Sequence, residues 1–90
     1  MPRAYVHDPD AVLDYTIDWA GVIGDDPLST SAWAVTAGDV TIDSDTLSGS
    51  LTQVWVSGGT PGVTAELTNH IVTVDGREDD RTITLVIKER

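Results

Sequence analysis

Carboxylates are the commonest ionisable groups in this chain. Fifteen Asp and Glu stand against five Lys and Arg in ninety residues, a formal net charge of −10. Clustered acids can do general acid–base work or hold a cation, so their spacing comes first. Asp43-Ser44-Asp45 opens like a calcium loop, but EF-hand spacing then asks for an oxygen ligand at 47 and a Gly at 48, where Leu47 and Ser48 stand. A cation held between loops would draw on Asp25, Asp26, Asp43 or Asp45; the plainer expectation is a solvated acidic surface. Only two histidines, His7 and His70, are available as bases, and neither sits in a recognisable arrangement with a nucleophile and an orienting acid. His70 falls in an extended run and is expected to be an outward strand side chain bonded to a neighbour. Cysteine is absent, which removes disulfides, thiolate metal sites and cysteine nucleophiles together. The loop Gly58-Gly59-Thr60-Pro61-Gly62 lacks the Lys and the following helix that a phosphate-binding loop requires. The expectation is a non-enzymatic protein with no catalytic residue, no cofactor and no metal.

Aromatic residues offer a second kind of chemistry, that of contact. Trp19 alternates with apolar residues and is expected in the core, as is Trp33. Trp55 is different, because Val54 and Val56 alternate against it and only one face can be the core. Turned outward, Trp55 would be the strongest interface anchor in the chain, since a large exposed aromatic is well used only under a partner. Further contacts are expected at Tyr5, Val6 and His7 near the N-terminus, and at Arg77 and Arg81, which flank the acidic run Glu78-Asp79-Asp80.

The charge is uneven. Residues 1–45 hold nine acids and one Arg, whereas residues 46–90 hold six acids and four bases. A polyanion of this kind cannot replace the counterions on phosphate, so neither nucleic acid nor an anionic membrane is an expected partner. No run of eighteen apolar residues offers a membrane-spanning segment, and the first residues lack the pattern of a signal peptide.

These side chains need a scaffold, and composition names its class. Val, Ile and Thr supply 29 of the 90 residues. β-Branched side chains lose rotamer freedom in helices and pack well on a pleated surface. Leu13, Tyr15, Ile17 and Trp19 alternate with Asp14, Thr16 and Asp18, the period of a half-buried strand. Further strands are expected at 32–35, 40–43, 51–57, 63–74 and 81–88. The stretch 21–31 reads as a loop, and the Gly/Pro run at 57–62 as a break. In the run 63–74 the face with Leu67, Asn69 and Ile71 is expected inside, with Val72 and Val74 suggesting a bulge. Ile83, Leu85 and Ile87 should face inward on the last strand. Asp8-Pro9 separates residues 1–10, expected as an extended arm, from one domain at 11–90. Six or seven short strands without a convincing helix make a small antiparallel β-sandwich.

Several phrases then fall together in order: His7-Asp8-Pro9-Asp10-Ala11-Val12-Leu13-Asp14-Tyr15-Thr16-Ile17-Asp18-Trp19, Ser31-Ala32-Trp33, Val54-Trp55-Val56-Ser57-Gly58-Gly59-Thr60, Leu67-Thr68-Asn69-His70-Ile71 and Gly76-Arg77-Glu78-Asp79-Asp80-Arg81. Over residues 7–89 the chain resembles a family of small tailed-phage and prophage proteins often described as fibre–tail adaptors. Ala20-Gly21-Val22-Ile23 departs from the polar segment usual after the first Trp. The resemblance implies an Ig-like β-sandwich and a structural part of a bacteriophage virion, present in multiple copies. Its partners would be other virion proteins: tail, neck, fibre or major capsid protein. The function it implies is an adaptor docking fibre or accessory proteins to the tail or head–tail region. A capsid decoration or cement protein is the alternative, and a carbohydrate-binding module using Trp55 is a further one.

Overall fold

The structure, a computed structural model, describes residues 3–89; Met1, Pro2 and Arg90 lie outside the described residues. Seven strands and one helical turn follow in order: β1 (Arg3–His7), β2 (Val12–Asp18), α1 (Ala20–Ile23), β3 (Leu28–Ala37), β4 (Val40–Ser48), β5 (Leu51–Gly58), β6 (Thr64–Thr73) and β7 (Glu78–Ile87). They make a four-stranded sheet, β1-β7-β6-β3, and a three-stranded sheet, β2-β5-β4. Every pairing is antiparallel except β1 with β7. The order β2-β5-β4 faces β7-β6-β3, with β1 at the far edge of the four-stranded sheet, which makes a two-layered β-sandwich.

The alternation read from the sequence is the alternation that packs. Tyr15 and Ile17 of β2, Val54 and Val56 of β5, Ala65, Leu67 and Ile71 of β6, and Ile83, Leu85 and Ile87 of β7 are buried between the sheets with Trp19, Ile23, Leu28 and Val40. Leu13 and Trp33 pack on that core while partly exposed. Of the residues 1–10 expected as an arm, Met1 and Pro2 lie outside the described residues, Arg3–His7 form a strand paired Arg3↔Ile83 through His7↔Ile87 with the chain's own last strand, and Pro9 and Asp10 lie in a turn. His7 is fully buried there, and its Nδ1 lies 2.7 Å from the Tyr15 hydroxyl.

Other differences have local causes. Within the expected loop at 21–31, Ala20–Ile23 form one helical turn. Asp18 Oδ1 accepts from the Ala20 N–H at 2.9 Å, and Gly24, with φ of 59°, ends the turn. β3 begins at Leu28 because Ser29 and Thr30 suit an edge strand as well as a loop. β4 continues through the polar stretch to Ser48, since an exposed edge needs few apolar residues. The bulge suspected near Val72 falls on the neighbouring strand. β6 pairs continuously with β7, whereas the β3–β6 register shifts between Leu28 and Thr30.

A buried polar cluster ties the two sheets together. The Trp19 Nε1–H donates to Asn69 Oδ1 at 3.0 Å and to Thr52 Oγ1 at 3.2 Å, and the Thr52 hydroxyl donates to Asn69 Oδ1 at 2.7 Å. Asn69 Nδ2 in turn donates to Ser31 Oγ and the Ala32 carbonyl. Asn69 thereby satisfies both ends of its amide inside the core, the condition under which burying it is tolerable.

Candidate functional site

The groups that could do acid–base chemistry are engaged in structure. His70 projects from the outer face of β6, its Nδ1 hydrogen-bonded to Asp80 and its Nε2 3.0 Å from Glu78 Oε1 on β7. Those two carboxylates, Asp80 foremost, raise the His70 pKa above its usual value. This is the outward strand histidine bonded to a neighbour that the sequence suggests. Asp26 is buried. Its Oδ1 accepts from the Asp75 N–H at 3.1 Å and its Oδ2 lies 3.7 Å from Arg77 Nη1, which clamps the β6–β7 turn onto the loop before β3. Among the described residues no group of three His, Asp or Glu side chains is placed to hold a metal ion.

The residues expected at an interface do not share one surface. Tyr5 is half-buried, with its ring tilted on Tyr15 at a centroid distance of 4.9 Å. His7 is inside the sandwich and offers no contact surface in this conformation. Val6 is exposed on the outer face of the four-stranded sheet, opposite Val86. Arg77 is exposed beside Asp26, and the Arg81 guanidinium sits 5.0 Å from the Trp19 ring centroid, where it caps the core.

Trp55 stands apart from these. Val54 and Val56 are fully buried, so Trp55 faces outward and is 36% exposed. It occupies the middle of the three-stranded sheet, opposite Asp14 on β2 and Ser44 on β4. Asp14 is held by a hydrogen bond from Gln53 Nε2 at 2.7 Å. Two more exposed apolar side chains, Val12 and Leu51, lie on that same outer face by alternation. The sequence signal for them was available: the period that turns Thr52, Val54 and Val56 inward turns Leu51, Gln53 and Trp55 outward. The result is an apolar and acidic sheet face built around one aromatic ring, a surface suited to contact.

No curated protein matches this chain. The family model described as podophage GP4 fiber-tail adaptor protein gp77 matches residues 7–86, from the end of β1 to within one residue of the end of β7. The chain belongs to that family of podophage fibre–tail adaptors.

Proposed function

We propose that the chain is a non-enzymatic structural protein of a podophage virion that docks fibre or accessory proteins to the tail or head–tail region. The observation that carries this reading is the family match across almost the whole sandwich. The geometry supports it, because the histidines and the buried acid hold the fold together while the outer faces present contact surface. On this reading Trp55 anchors the docking face, with Val12 and Leu51 beside it and Asp14 at its flank. Val6 and Arg77 would contribute from separate surfaces, as suits a part that touches two neighbours. Tyr5, His7 and Arg81 would act indirectly, by holding the first strand and the core end in shape.

Deleting the coding sequence from a phage that carries it tests the reading. Negative-stain images of the particles are expected to show filled heads and tails without fibres, and complementation should restore the fibres. Mutant particles bearing a normal number of fibres would overturn the docking role.

A further inference from the structure

Four strands lie at sheet edges, and three of them are guarded. β2 carries Asp14 and Asp18; β4 carries Asp43 at a register shift between Ile42 and Ser44, and Asp45 beyond it; β1 is five residues long. Charged side chains, bulges and short length are the devices by which sheet edges avoid pairing with other chains. β3 has none of the charges and is twice the length of β1; its register with β6 shifts near both ends, between Leu28 and Thr30 and between Val35 and Ala37, and Thr30–Val35 between them pair without interruption. Its ten residues, Leu28–Ala37, hold no charged residue, no Pro and no Gly, in a chain of net charge −10. Among the described residues it pairs only with β6, so one row of its backbone donors and acceptors faces outward.

The core is also unfinished on this side. Val35 stands opposite Leu67, which is fully buried, yet Val35 itself is 37% exposed. Trp33 stands opposite Asn69, and its Nε1–H is shielded from solvent without an acceptor. Across the sandwich Thr52, the hydrogen-bond partner of Asn69, stands opposite Leu47 of β4, which is exposed too. Trp33 and Leu47 therefore flank the same level of the open side.

We propose that β3 is completed in the virion by an added β-strand from a neighbouring protein, one that carries basic side chains. Water satisfies the free edge of β3 in the isolated chain, and an added strand replaces that water with a continuous ladder of backbone hydrogen bonds, an established mode of recognition. The charge follows from β4. Asp45 sits opposite Val54, in a core-facing register, but is exposed at the open side, with Asp43 nearby on the same edge. Side chains that the added strand turns toward the three-stranded sheet meet these carboxylates, so Lys or Arg there is favoured and a second copy of this acidic chain is not.

The proposal rests on the adaptor reading, and hydrogen exchange separates the two. Exchange of segment 28–37 is followed by mass spectrometry in the free chain and in purified particles. Protection of the β3 amides is expected to rise at least about tenfold in particles, while β5 and β7, already flanked by strands, change little. Equal β3 exchange in particles that contain the chain overturns strand addition alone; absence of the chain from particles overturns the adaptor reading with it. Asp45→Asn, at an exposed position, is expected to lower incorporation into particles at low salt toward the value that the unmodified chain shows at raised salt, where the attraction is already screened. Incorporation as salt-dependent as that of the unmodified chain would overturn the basic character of the partner.

Discussion

Asn69 shows how much of this molecule is decided by single side chains. Its position in the alternation puts it inside, and the period of β6 makes that legible. Nothing in the pattern reveals that Trp19, Thr52 and Ser31 converge on it, because they come from distant parts of the sequence. Asn69→Ala leaves the Thr52 hydroxyl and the Trp19 indole short of an acceptor, and should lower the unfolding free energy by about 1–3 kcal/mol or more. Urea denaturation checks this. His70 makes a prediction about pH. Its pKa is raised in the folded chain by Asp80 and Glu78, so the protonated form favours folding. That contribution is complete below the usual histidine value and disappears as pH rises through the raised one. Melting temperature should therefore fall across that interval, and His70→Gln should flatten the slope; an unchanged slope would assign the titration elsewhere.

Among the elements, the strands with one fully buried face were the most readable and the polar edges the least. β2, β5, β6 and β7 bury one face, so each shows a period of two with the correct residues inside. Edge strands are only partly covered, which is why the polar residues 44–48 belong to β4 without showing it in their types. The pairing of β1 with β7 depends on contacts eighty residues apart, and no local pattern encodes it. Deleting residues 1–7 removes that strand together with buried His7. The stability loss should exceed the roughly 1 kcal/mol of an ordinary substitution, measurable as a drop in melting temperature. Gly38 tests the β3–β4 turn. It has φ of +85°, and a Cβ there would lie 2.7 Å from both Cα and Cβ of Ala65. Gly38→Ala should cost more than about 1 kcal/mol, whereas the same change at Gly21, which has open space, should not.

On the scale of the whole molecule, charge and architecture point the same way. The four-stranded sheet keeps an uncharged edge, and the three-stranded sheet turns Trp55 outward among acids. Strong acidity holds free copies apart and favours capture by a complementary, more basic surface. The candidate contact residues were only partly legible, because Trp55 announces itself by alternation but the burial of His7 and the capping by Arg81 emerge only from tertiary packing. Trp55→Ala should leave the fold intact, since the ring lies on an outer face, and should reduce binding of a docked partner by 2 kcal/mol or more if it is an anchor, on the order expected for an interface Trp. Pull-down of the fibre or tail protein from infected cells reads that loss.

The most direct test of the central claim is quantitative mass spectrometry of purified virions, counting this chain against the portal protein. An adaptor at the tail or neck predicts that the chain is present at a ratio of a few copies per portal subunit or less. Tens of copies per portal subunit would place it on the capsid as a decoration protein, and its absence from particles would contradict the account altogether.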